Sequence, residues 1–330
     1  MELPSKKYGF FTATAMVVGI VIGSGVFKSA GDVLEASGGS LPMAVLAWII
    51  GGLIMVISAY TFSLVATRVQ RSSGIVDYVE DALGERAGYL IAWFLNFIYF
   101  PTLVGILSWL AATVTSSLIG FENPVTGTAT WVIAIVFMLL TYLLGFISPI
   151  LAGKWQVSSA SIKLVPLLLI AVVGLIFGLI NGNVQTSFTI NAAGVSGGLA
   201  SAVAVTAFAY DGWILATTIN GELKDSKKTL PKALVVGSLV VVVAYILFFI
   251  GLSGVITNQE AIELAGSLET SKLAANRLFG SFGNVISVLI LVSVLGTLNG
   301  VVMAGTRGLH SISVRNVGPK PELFSKLSKT

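Results

Sequence analysis

Apolar residues in this chain fall in long unbroken runs, and the polar residues gather between the runs. A helix needs roughly 20 apolar residues to cross a hydrocarbon core. Eight runs reach that length, at about 9–35, 43–67, 88–118, 130–150, 157–181, 198–221, 232–256 and 281–307, numbered here as spans 1 to 8. They are apolar all round, unlike the half-polar stripe of a helix on a soluble core. They lack the period-two alternation of a membrane β-barrel. The pattern predicts an all-α polytopic membrane protein. Its N-terminus, Met1 to Phe11, leads into an apolar stretch too long for a cleaved signal, with no small-residue cleavage pattern, so it is expected to be retained.

The two longest connections carry a helical pattern of their own. In 68–87, Val76, Val79 and Leu83 recur at helix spacing with Asp77, Glu80 and Asp81 between them, which predicts an amphipathic helix at the membrane surface. In 257–280, Ile262, Leu264, Leu268, Leu273 and Leu278 stand among charges, which predicts one or two short helices. Each segment reads equally as a gate or as a solvated loop helix.

Composition sharpens this reading. Of 330 residues, 55% are hydrophobic and 10% charged, with a mean hydropathy of +0.93. Soluble domains average about 25% charged, so a water-soluble enzyme is excluded. Nineteen basic and 15 acidic residues leave a net charge of +4, too weak and scattered for nucleic acid. One His and no Cys leave little for a metal site or a thiol mechanism, so no enzyme, metal or cofactor is expected. With the N-terminus inside, 15 Lys and Arg fall in inner segments, three (Lys28, Lys272 and Arg277) fall outside, and Lys163 lies within span 5. The positive-inside rule then places both termini of this chain in the cytoplasm, with the protein in the cell membrane and lipid around it.

Candidate chemistry sits where spans are interrupted. Span 1 contains Gly19, Val21, Gly23, Ser24, Gly25 and Val26, and the Gly23-Ser24-Gly25 step invites a break. A broken helix in lipid survives only where protein or a cavity satisfies its freed backbone groups. Its free N–H groups suit an anion and its free carbonyls a cation, so a zwitterion fits both. The same glycines, four apart, also read as a packing face. Span 6 reads Phe208-Ala209-Tyr210-Asp211-Gly212-Trp213, continuing to Thr217, Thr218 and Asn220. An intramembrane carboxylate is a functional candidate, and an Asp-Gly step tends to unwind a helix. Interruptions at matching places in two halves point to an inverted-repeat transporter with a midplane site. The expected halves are 1–181 (spans 1–5) and 182–307 (spans 6–8, a partial repeat), followed by a cytoplasmic tail at 308–330. Lys163, about six residues into span 5, reads either as a snorkelling lysine or as a functional cation.

Other chemistries fit less well. His310 is the only histidine and falls at the inner end of span 8, which argues against a serine–histidine pair with Ser24. Asp211 stands alone, without the clustered carboxylates of a metal-dependent lipid enzyme. No repeated polar rings suggest a channel.

The stretch from Gly19 to Phe27 resembles the first-helix signature of the amino acid–polyamine–organocation superfamily. Residues 208–213, with Gly221-Glu222 and Leu230 to Ala233, resemble the sixth helix and following loop of its L-amino-acid transporter branch, and within it the bacterial serine/threonine-type exchangers. The likeness runs along essentially the whole chain, including Val292-Ser293 to Asn299-Gly300 in span 8. It implies a LeuT-type fold with broken helices 1 and 6, of which about eight of the family's twelve spans are present. It implies sodium-independent exchange of small neutral L-amino acids by alternating access; a cationic amino acid or polyamine antiporter is the alternative, because Asp211 could face a basic side chain. The resemblance assigns the N–H groups of Ser24, Gly25 and Val26 to a substrate carboxylate. Carbonyls at Val21, Phe208, Ala209 and Asp211 take the ammonium, with Gly23 in the same break. Phe208 becomes an outer lid. Lys163 takes the place of a sodium ion, holding span 1 against span 8 with Ser293 as its partner, and Tyr245 is tied to substrate handling. Animal members join a heavy chain through a disulfide, which a chain without Cys cannot form.

Overall fold

The computed structural model describes residues 9–69, 74–192, 194–214, 223–315 and 320–324. Among them every regular element is helical. Span 1 is two helices, α1 (Phe10–Val21) and α2 (Gly25–Ala36), bent by 55°. Span 2 is α3 (Leu41–Arg68), with Pro42 in its first turn, where a missing N–H leaves no helical bond unmade. The loop helix expected in 68–87 is α4 (Ile75–Leu83). Span 3 comprises α5 (Glu85–Phe94), a π-helical turn (Leu95–Tyr99) and α6 (Phe100–Ile119). Span 4 is α7 (Thr128–Ile147). Span 5 is α8 (Pro149–Ile162) and α9 (Leu164–Ile180), joined at Lys163. A short α10 (Asn183–Thr189) leads to α11 (Leu199–Ala209), the start of span 6. Span 7 is α12 (Ser226–Ser253), and α13 (Asn258–Glu263) and α14 (Glu269–Phe279) are the short helices expected in 257–280. Span 8 is α15 (Gly283–Val314), followed by α16 (Pro321–Phe324).

Six described helical stretches are long and apolar enough to cross a membrane, seven counting the bent α1–α2 pair. Helix α11 is apolar but short, and the continuation expected at 215–222 lies outside the described residues. Span 7 starts at Ser226, not near 232, and two further boundaries differ from the sequence reading. Span 5 begins at Pro149, not near 157, because the Ser148 hydroxyl caps α8 by accepting from Leu151 N–H at 3.2 Å. Gln156, one of the polar residues there, meets span 8: Asn299 Nδ2 donates to Ala152 O and to Gln156 Oε1, both at 3.1 Å. Such side chains join helices where lipid offers no alternative partner. Span 8 also runs past 307 to Val314, so the expected tail begins inside a helix. At that end Arg315 pairs with the fully buried Asp77 and, at 3.3 Å, with Glu80, anchoring α4 rather than leaving it free on the surface.

Water does not drive helix association inside a bilayer, so close packing must. Gly174 and Gly178 of α9 lie against Gly251 of α12 and Gly254, which follows it, and a methyl group on Gly174 would stand 2.5 Å from Gly251 O. Helix α12 packs on α1, α3 and α9, and α11 packs on α2 and α3. Helices α6, α7, α8 and α15 pack into a second group. Ile54, Ile57, Ile135 and Leu139 remain exposed, as the lipid-facing surface of the spans requires.

Candidate functional site

The span 1 break holds Ile22, Gly23 and Ser24 between α1 and α2. Ile22 keeps a helical bond to Val18 O (2.9 Å) but turns extended, with ψ 107°. The first bond of α2 runs from Lys28 N–H to Ser24 O at 3.2 Å, so the N–H groups of Gly25, Val26 and Phe27 precede it. All residues from Val21 to Phe27 are buried, and the Ser24 hydroxyl has no hydrogen-bond partner. Free helix-start N–H groups beside an unpaired hydroxyl are chemically suited to an anion.

The span 6 break follows Ala209. Tyr210 closes α11 with a bond to Thr206 O (3.1 Å), and Gly212 takes φ +100°, which a side chain would strain. Asp211 Oδ1 accepts from Gly212 N–H at 2.7 Å, and its Oδ2 accepts from the Tyr99 hydroxyl. Asp211 therefore supports the freed backbone of its own break, and both its oxygens are occupied.

The breaks meet each other. A methyl group on Gly25 would stand 2.7 Å from Ala209 Cα and 2.9 Å from Phe208 O, so α2 approaches α11 as closely as glycine permits. Gly212 faces Ile20 O across the same junction, 3.3 Å from where its Cβ would be. The far ends are tied as well: Ala36 O, at the end of α2, accepts from Gly198 N–H and from Ser201 Oγ at 2.9 Å each, at the start of α11. Helices α2 and α11 thus run antiparallel. Gly19 and Gly23 also serve as a packing face, toward Ala160 and Thr297.

Aromatic residues back this junction. Tyr245 donates to Val21 O at 3.2 Å, Tyr210 donates to Trp48 O at 2.9 Å, and the two tyrosine rings stack at 5.3 Å. Tyr245 is thereby fixed to the span 1 break. On the span 8 side a methyl on Gly23 would stand 3.1 Å from Thr297 Oγ1. Lys163 is 2% exposed, at the turn between α8 and α9; its backbone N–H donates to Ser159 O at 3.0 Å, while its ammonium makes no hydrogen bond or ion pair among the described residues. The hydrogen bond expected between Lys163 and Ser293 is not made; the Ser293 hydroxyl is buried without a partner. Burial of Lys163 does not match a lysine snorkelling to the surface.

Above the junction lies an open cavity of about 900 Å³, lined by Phe208, Lys28, Ser29 and Asp32 and walled on one side by Ile106. Lys28 pairs with Asp32 and lies 5.8 Å from the Phe208 ring centroid. The structure thus gathers Val21, Gly23, Ser24, Gly25, Val26, Phe208, Ala209, Asp211 and Tyr245, with Lys163 and Ser293 on spans 5 and 8. Sequence reasoning missed Tyr99, Tyr210, Thr297 and Lys28. Asn96 and Tyr99, three apart in an apolar run before Pro101, were the available signal for the first. Among the described residues no three acidic or His side chains could share a metal ion.

A helical membrane protein whose two interrupted spans meet at their breaks, with an open cavity beside the junction, is a broken-helix transporter in construction. The chain belongs to the amino acid permease family, whose profile matches residues 8–330. It is similar to the serine/threonine exchanger SteT of Bacillus subtilis, at 33% identity over 321 residues, covering 97% of this chain and 71% of that protein. It is 27% identical over 308 residues to Asc-type amino acid transporter 1 of Mus musculus, covering 92% of this chain and 57% of the relative. It is 28% identical over 310 residues to the large neutral amino acids transporter small subunit 2 of Oryctolagus cuniculus, of which it spans 56%. Among solved structures it resembles Mhp1, a nucleobase-cation-symport-1 family transporter, in a closed conformation with bromovinylhydantoin bound. That match has a TM-score of 0.67 at 15% identity over 95% of this chain and 68% of Mhp1, and it shows a shared LeuT-type fold.

Proposed function

We propose that this chain is the amino-acid-binding part of a sodium-independent exchanger for small neutral L-amino acids, working by alternating access in the cell membrane with its termini cytoplasmic. The observation that carries the reading is the meeting of the two breaks. The N–H groups of Ser24, Gly25 and Val26, with the unpaired Ser24 hydroxyl, would receive the substrate carboxylate. Carbonyls at Val21, Phe208, Ala209 and Asp211 would receive the ammonium. Phe208, on the cavity wall, would close over the bound amino acid. Lys163 would supply beside the break the positive charge that a sodium ion brings in coupled relatives, with Ser293 near it on span 8. Family membership and the similarity to SteT, an exchanger by its name, support this reading.

The alternative, a cationic amino acid or polyamine antiporter, needs Asp211 to face a basic side chain. Tyr99 and the Gly212 N–H already occupy both carboxylate oxygens, which favours the neutral reading. The test is competition for radiolabelled serine binding to the purified chain by alanine, leucine, arginine and spermidine. Alanine is expected to displace serine, and arginine and spermidine are not. Displacement by the cationic ligands alone would reverse the assignment.

A further inference from the structure

Span 3 is not a regular helix where it passes the site. Between α5 and α6 it widens into the π-helical turn Leu95–Tyr99, and such turns inside α-helices recur at functional sites. Two side chains of this turn reach out in different directions. Tyr99, at its end, donates its hydroxyl to Asp211 in the span 6 break. Asn96 lies against Gly308 on α15 and donates to Ala92 O at 2.8 Å, while its buried Oδ1 has no partner. The following residue, Phe100, packs on Gly305 of α15, 3.5 Å from where a methyl would sit.

These contacts matter because of which bodies they join. Helix α11 packs with α2 and α3, whereas α6 packs with α7 and α15. The Tyr99–Asp211 hydrogen bond therefore crosses from the group that carries the second span and the span 6 break to the group that carries spans 3, 4 and 8. Asp211 also shapes its own break, through Gly212 N–H at 2.7 Å and a glycine at φ +100°. Alternating access requires two bodies to move relative to each other, and only contacts that differ between the end states can bias the balance between them. A charge-assisted hydrogen bond between the bodies, ending on the substrate-site backbone, is a contact of that kind.

We infer that Tyr99 is a positioning residue. Through Asp211 it holds the span 6 break in its substrate-receiving shape and latches the two helix groups in the conformation whose cavity opens along α2 and α11. The π-turn is what aims the hydroxyl: a regular turn would shift every later residue of span 3 around the helix axis. This inference rests on the alternating-access reading, and its test separates the two.

The chain has no cysteine, so one engineered thiol reports without background. Ala204 is exposed on α11 and lines the cavity, which makes Ala204→Cys the reporter. The experiment follows labelling of this thiol by a membrane-impermeant maleimide in the full chain, without substrate, alongside radiolabelled serine and alanine binding. Tyr99→Phe keeps the ring and removes only the hydroxyl. It is expected to slow labelling by about tenfold, the worth of one hydrogen bond to a charged group, and to weaken serine and alanine binding by equal factors. Adding Tyr99→Phe to Asp211→Ala should slow labelling no further than Asp211→Ala alone. If Asp211→Ala does not fold, the Tyr99→Phe result decides by itself. Labelling that is unchanged or faster in a monodisperse Tyr99→Phe protein overturns the latch, whatever happens to binding. Failure of the parent protein to bind any amino acid would instead sink the transport reading, while the labelling comparison would still decide the latch.

Discussion

Ser24 and Gly25 are neighbours in the span 1 break, yet they answer to different demands. Gly25 is required by protein packing, since any side chain there overlaps the backbone of Ala209 and the carbonyl of Phe208. Gly25→Ala is therefore expected to cost about 1–3 kcal/mol of stability through overpacking, as well as substrate binding. That substitution cannot isolate the ligand site, although glycine at this point reads from sequence as a pure binding device. Ser24 can isolate it. Its hydroxyl is buried with no partner, so nothing in the protein is lost when it goes. Ser24→Ala should leave thermal stability within about 0.5 kcal/mol while weakening serine binding by up to tenfold. Thermal unfolding and equilibrium binding on the same preparation check both; a large stability loss, or unaltered affinity, contradicts the role given to Ser24.

The legibility of the elements varied with the physics behind each one. Spans 2 and 4, and the end of span 7, could be read closely because length and uniform apolarity decide a bilayer-crossing helix. Both breaks were legible too, through Gly23-Ser24-Gly25 and Asp211-Gly212. The start of span 5 was not, because Gly153, Lys154, Gln156 and Ser158 look like a loop until Asn299 on span 8 gives Gln156 a partner. The π-turn was hidden for a related reason: it is a matter of register, not composition. The Lys163–Ser293 bond was expected from resemblance, and the structure leaves both groups unpaired instead. Helices α13 and α14 are joined by Arg277, which meets Glu260 at 2.8 Å. This pairing, with bonds from Thr257, holds the Glu260 carboxyl down to about 2. A depressed carboxyl adds stability above its ordinary range, and that stability is lost as pH falls toward 2. Glu260→Gln should then cost about 1 kcal/mol or less at neutral pH, because the pair is partly exposed and screened, and nothing near pH 2. Hydrogen exchange in 257–280 as a function of pH reads this directly; equal protection in both proteins at pH 7 would show the pair to be inert.

At the scale of the whole molecule, exchange needs two helix groups that move around a shared site. Helix packing forms two groups, and the two breaks face each other at the proposed site. Lys163 lies where α8 meets α9, buried and with its ammonium unpaired among the described residues, close in sequence to the residues that pack on span 8. If it replaces an ion, Lys163→Ala should reduce exchange at least tenfold, while Lys163→Arg, which keeps the charge, should retain part of it. Equal loss in both variants would point to packing and not charge.

The most direct measurement is uptake of radiolabelled serine into proteoliposomes containing the purified chain, with or without serine inside, in sodium or choline buffer. Alternating-access exchange with Lys163 in place of an ion predicts uptake that is strongly stimulated by internal serine and equal in the two buffers. Uptake indifferent to internal serine, or dependent on sodium, would contradict it.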